Sequence, residues 1–147
     1  MVSYRLIQRI EENWQRLAHA VLLDLQKDPR TPHYHGMPDE EILDRAHDLV
    51  RNLGYWLTQG DFKELSGRYE RIGVTRAVQG IPLHEVLRKL QLMKRRLMLF
   101  AHDQTLDHSA IEIRAENELH LAIDQFFDEV IYSIAKGHES RTRAQAA

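Results

Sequence analysis

The residues of this chain with most chemistry to offer are nine histidines and one arginine set on an apolar stripe. Neutral imidazoles suit a metal site or a general base. Their spacing does not: His33 and His35 share a loop, His47 stands one helix away, and His84, His102, His108, His120 and His138 are scattered. No HExxH motif, no Glu-x-x-His pair repeated across helices and no Cys/His cluster occurs. Glu116 and His120 stand four apart on one helix, an arrangement common on solvated faces. The expectation is surface and loop histidines and no metal site.

Arg76 continues the stripe Phe62, Leu65, Tyr69, Ile72 at spacings of 3 and 4, which aims a permanent charge towards the interior. Near a helix C-terminus its guanidinium can snorkel out or satisfy the last carbonyls. It can also form a buried ion pair or anchor an anionic ligand. Nucleophilic catalysis lacks a framework. There is no cysteine, serine is scarce, and no GxSxG occurs. Gly80-Ile81-Pro82 is a helix break, not a phosphate-cradling loop. The carboxylates fall mostly on polar faces. No catalytic residue is assigned, and the chain is expected not to be an enzyme.

With 20 Lys+Arg against 22 Asp+Glu, the formal net charge is -2, and Lys94-Arg95-Arg96 is the one dense basic run. It lies inside an apolar helix with no helix-turn-helix pair around it, so no nucleic acid is expected. Apolar runs such as Ala20–Leu23 are far too short for a bilayer, and Met1–Arg9 has no secretory core. A soluble, cytoplasmic chain without a membrane partner is the expectation. Its 147 residues suit one domain that buries roughly 70% of its unfolded surface.

The elements follow from period and punctuation. A first helix spans about Ser3 to Gln26, with the stripe Leu6, Ile7, Ile10, Trp14, Leu17, Ala18, Val21 and Leu25. Asp28 to Gly36 reads as a loop. A second helix runs from near Pro38 to Gly60. Asp61, with Glu64, opens a third as a capping-box variant, and Gly80 and Pro82 end it. A fourth runs from Pro82 to about Phe100, then a loop, Asp103–His108. The fifth runs from Ser109, a good N-cap, to Lys136, with Gly137 as C-cap. The fold class is all-α: five main helices, more where a kink divides one, packed as a globin-like bundle without a sheet. Residues 1–138 are expected to form one helical, dimerising domain, and 139–147 a flexible tail or linker.

Two helices carry more apolar surface than one core needs. On the fourth, Leu92 and Leu99 lie roughly opposite the main stripe, flanked by Arg88, Arg95 and Arg96. Long Arg stems can cover two isolated leucines. The alternative is a helix buried on both sides, once in its own core and once in a partner. The fifth presents Leu119, Ile123, Phe126, Phe127, Val130, Ile131 and Ile134 over about 140°. The expected homodimer interface is Leu92, Arg95, Leu99, Ile123, Phe127, Val130, Ile131 and Ile134.

The segment Arg71–Leu87, with Arg76, three residues, then Gly80-Ile81-Pro82-Leu83 and a Val-Leu-rich helix, resembles the N-terminal sensor domain of RsbRD-type stress regulators, relatives of RsbR in the bacterial stressosome. The resemblance extends loosely to the region of Trp14 and to Phe127–His138. It implies a non-haem, globin-like signalling domain that relays through its C-terminal helix to an output domain or signalling protein. The same stretch is similar to the proximal helix of globin-coupled sensors, where a His precedes a Gly by four residues. Here Arg76 holds that place. Arginine has no lone pair for iron, so no cofactor is expected. His84, the other candidate ligand, lies outside the apolar arc. A haem-binding globin-type sensor and a helical protein–protein adaptor are the alternatives.

Overall fold

The computed structural model describes residues 4–104 and 109–146. It is an all-α, globin-like bundle of seven helices among the described residues: α1 (Tyr4–Glu12), α2 (Trp14–Lys27), α3 (Pro32–His35), α4 (Asp39–Gln59), α5 (Lys63–Val78), α6 (Leu83–Asp103) and α7 (Ala110–Ala146). The extra two arise where local hydrogen bonds interrupt the apolar period. The expected first helix divides at Asn13, whose Nδ2 donates to the Arg9 carbonyl at 2.8 Å. The expected loop after it contains the single turn α3, started by Pro32. Tyr34 of that turn is 1% exposed.

Helix ends follow familiar chemistry. Gly60 and Gly80 close α4 and α5 at φ of 70° and 77°, where a side chain would be strained. Asp61 Oδ1 accepts the Lys63 N–H at 2.8 Å, but Glu64 turns to the Tyr55 hydroxyl rather than back to complete a capping box. Ser109 Oγ accepts the Glu112 N–H at 3.2 Å and caps α7. The expected loop Asp103–His108 lies largely outside the described residues, and Asp103 itself closes α6.

The principal correction concerns Gly137. It does not end the last helix, and α7 runs through 139–146 to Ala146 with its final residues exposed. Gly137 is where a Cβ would strike the Glu70 carbonyl of α5, and Gly73 is where one would strike the α7 backbone at Ile134 and His138. The two glycines let α5 and α7 cross backbone to backbone, in the most extensive helix contact of the molecule.

The core gathers apolar faces of α1, α2, α4, α5, α6 and α7. Phe126 stands at its centre, edge-on to Trp56, Phe62, Tyr69 and Phe127 at centroid distances of 5.7–6.2 Å. No helix of the described residues is long and apolar enough to cross a membrane.

Candidate functional site

A cavity of about 60 Å³ lies between α4, α5 and α6, with Val21 of α2 and Ile134 of α7 in its wall. Its apolar lining comes from residues on the inner stripes. Its polar lining comes from Arg45, Asp48 and Asn52 on α4, Arg68 on α5 and Lys89 on α6, each one position off those stripes, and from Tyr69 and Arg76 on the α5 stripe itself. Four cations and one carboxylate therefore share the wall of a largely apolar hole.

Each cation meets a different fate. Arg76 is 2% exposed, and its Nη1 donates to Glu41 Oε1 at 3.1 Å and to Gln79 Oε1 at 2.8 Å. Gln79 Nε2 in turn donates to Glu41 Oε1 at 3.2 Å. Gln79 and Arg76 together hold the Glu41 carboxyl below its usual range. Arg45 stands 3.7 Å from Asp48. Arg68 donates to the neutral Asn52 Oδ1 at 2.8 Å, and Asn52 Nδ2 donates to the Tyr69 hydroxyl at 3.0 Å. Burial pushes that phenol well above its ordinary value.

Lys89 is the exception. Among the described residues no carboxylate lies within ion-pair distance of its Nζ, which sits 5.6 Å from the centroid of the Tyr34 ring. Burial first, and then repulsion from Arg76 and Arg45, pushes its ammonium down to about 7, against the weaker pull of Glu41. The Tyr34 hydroxyl is fully buried with no hydrogen-bond partner, and burial raises it to about 12. A buried polar atom left unpaired costs about 1–3 kcal/mol, so this corner is built against its own stability.

The motif Gly80-Ile81-Pro82-Leu83 forms the α5–α6 turn. The Ile81 N–H donates to the Arg76 carbonyl at 3.0 Å, and Ile81 is 4% exposed. Its carbonyl accepts from His138 Nε2 at 2.7 Å, which places that imidazole's proton on Nε2. The turn below the cavity is thus tied to α7. His138 was not singled out from sequence, because a histidine after an apparent C-cap reads as tail. His84 is exposed on α6. Among the described residues no three His, Asp or Glu side chains gather as a metal site would require.

The residues expected at a dimer interface separate. Ile123, Phe127, Val130 and Ile134 are at most 2% exposed inside the chain's own core, and Leu92 is 5% exposed. Ile131 packs against the core. Leu99 is 49% exposed and Arg95 is exposed beside it, in a shallow groove. Leu121 and Tyr132 are the large exposed apolar residues in the middle of α7.

The model of one family, the RsbT co-antagonist protein rsbRD N-terminal domain, matches residues 25–147. The chain belongs to that family. The match takes in α3 to α7 whole, and with them every polar residue of the cavity. Membership makes the chain a stressosome-type sensor domain of signalling proteins. No curated protein and no solved structure matches it. Within this RsbRD-type domain, the cavity wall on α5 and the last helix α7 meet directly at the two-glycine crossing.

Proposed function

We propose that this RsbRD-type domain is a non-enzymatic, cytoplasmic sensory and dimerisation module of a bacterial signal-transduction protein. A ligand or partner biases two packings of α5 against α7, and α7 passes the shift to a downstream output domain or signalling protein. The observation that carries this reading is the α5–α7 crossing. Arg68, Tyr69, Ile72 and Arg76 line the cavity from α5, and Gly73 of the same helix touches the α7 backbone at Ile134 and His138. Close-packed backbones have no soft side chains between them, so a shift of one moves the other. Beyond that contact, 139–146 continue as exposed helix.

A second copy is the partner at the faces the fold leaves open, Arg95 and Leu99 on α6 and Leu121 and Tyr132 on α7. The homodimer and the downstream partner are part of the proposal, as is the cytoplasmic location. Light scattering during size-exclusion chromatography tests it. A dimer at high micromolar concentration is expected, and Leu99→Glu with Arg95→Glu should split it without unfolding the chain. A wild-type monomer at that concentration contradicts the dimer.

A further inference from the structure

The cavity wall carries more positive charge than it neutralises. Arg45 has Asp48, and Arg76 has Glu41. Arg68, exposed at the rim, donates to the neutral Asn52, and among the described residues Lys89 has no carboxylate within ion-pair distance. Elsewhere on α6 the fold supplies carboxylates where basic residues need them: Arg88 meets Asp28 at 2.7 Å and Arg96 meets Asp24 at 2.6 Å. The remainder of the cavity is apolar, from Val21, Leu49, Ile72, Leu90, Met93 and Ile134.

We propose that this cavity binds a short-chain organic monocarboxylate, with its carboxylate between Lys89 and the guanidinium groups of Arg45 and Arg68 and its alkyl end against the α4–α6 apolar wall. The charge follows from Lys89, half-buried at the cavity wall with no carboxylate within ion-pair distance among the described residues, and from the exposed guanidinium groups of Arg45 and Arg68 at the same wall. The apolar body follows from the lining. An inorganic oxyanion such as phosphate exposes polar oxygen on every side and would lose hydration against Leu49, Leu90 and Met93 without replacement. The size follows from the volume: about 60 Å³ is roughly four waters' worth of space, which admits a carboxylate and a few carbons but not a long chain.

The site names the ligand class for the sensor reading above, and the binding itself stands without that reading. Butyrate is the probe, titrated into ¹⁵N-labelled protein and followed in amide spectra. Saturable shifts centred on α4, α5 and α6 around Asn52, Tyr69 and Lys89 are expected. Butyramide, of the same shape without the charge, should bind at least tenfold more weakly. Lys89→Met should lower butyrate affinity at least tenfold, with its folded state shown by an otherwise intact spectrum. Arg45→Gln, at an exposed site, gives a second variant with a smaller loss.

No saturable shift with butyrate overturns the proposal, as does equal binding of butyramide. Phosphate that saturates the same residues as tightly as butyrate also overturns it, in favour of a plain oxyanion site. A dimeric protein that ignores butyrate loses this inference and keeps the sensor reading. A monomer that binds butyrate does the reverse.

Discussion

Basic residues of α6 are treated in two opposite ways. Towards α2, Arg96 grips Asp24 through both Nε and Nη2 at 2.7 and 2.6 Å, and Arg88 reaches Asp28 at 2.7 Å. Lys89 meets an aromatic ring and the repulsion of two guanidinium groups, and among the described residues no carboxylate lies within ion-pair distance of it. One residue from Arg88 and seven from Arg96, it leaves an unneutralised wall beside a fastened seam. The seam fixes α6 to the body of the molecule. The wall leaves a corner that a ligand could stabilise, and that corner adjoins the crossing of α5 with α7.

The largest effect should come from the crossing itself, which the wall must act through. Gly137→Val puts branched carbon into the Glu70 backbone and should cost about 3 kcal/mol. Urea unfolding measures the loss, and hydrogen exchange should show the amides beyond Ile134 losing protection first. Retention of wild-type stability would mean that α7 is not clamped there.

Next, removing the charge from the wall should help the fold. Lys89→Met should stabilise the protein by about 1 kcal/mol at pH 6, since a half-buried ammonium without a carboxylate partner among the described residues is replaced by an apolar chain of similar volume. The gain depends on pH in a defined direction. The folded ammonium titrates near 7 while the unfolded one titrates near 10.5, with Arg76, Arg45 and Glu41 facing it. Between those values the unfolded chain binds the extra proton, so wild-type stability rises with pH and the advantage of Lys89→Met shrinks. Above pH 10 the buried phenols of Tyr34 and Tyr69, both raised, reverse the trend. Thermal melts of the two proteins from pH 6 to 10 read the difference.

The seam should give a smaller, ordinary value. A double-mutant cycle on Asp24 and Arg96, both partly exposed, should return a coupling of about 1 kcal/mol that weakens with salt. A coupling near zero would erase the contrast between seam and wall. The smallest effect is at Asp28, held near 2 by Arg88 first and then the Arg30 backbone. Its folded value lies below the ordinary 3.8, so its contribution is present above pH 4 and fades as pH falls towards 2. Arg88→Met should flatten that acid limb and leave the neutral region little changed.

Much of this architecture could be read from the residues alone. The stripes of α4 and α6, the stop at Gly60 and the break at Gly80-Ile81-Pro82 are local properties of the chain. The split at Asn13 was not readable, because a side-chain bond to the Arg9 carbonyl made it. Gly137 misled for a physical reason: a glycine that ends a helix and one that admits a neighbouring backbone look alike until the neighbour is placed. Within the site, the position of Arg76 on the α5 stripe was visible, but its partner Glu41 comes from α4 and only tertiary structure brings it there. Lys89 had a signal that was overlooked. At 100° per residue it falls about 20° from Phe100, just outside the edge of the apolar arc of α6. The interface expected on α7 shows the converse. A wide apolar arc on a central helix can be consumed by its own chain, as Phe126 and Phe127 are here.

The central claim is that the charged wall and the last helix move as one unit. The chain has no cysteine, so Gln59→Cys and Ser140→Cys, both at exposed positions, give a clean pair of spin labels across α4 and α7. Their distance distribution, measured by double electron–electron resonance with and without saturating butyrate, should shift to a second population on binding, and Lys89→Met should abolish the shift. An unchanged distribution in protein shown by its amide spectrum to be saturated would contradict the coupling.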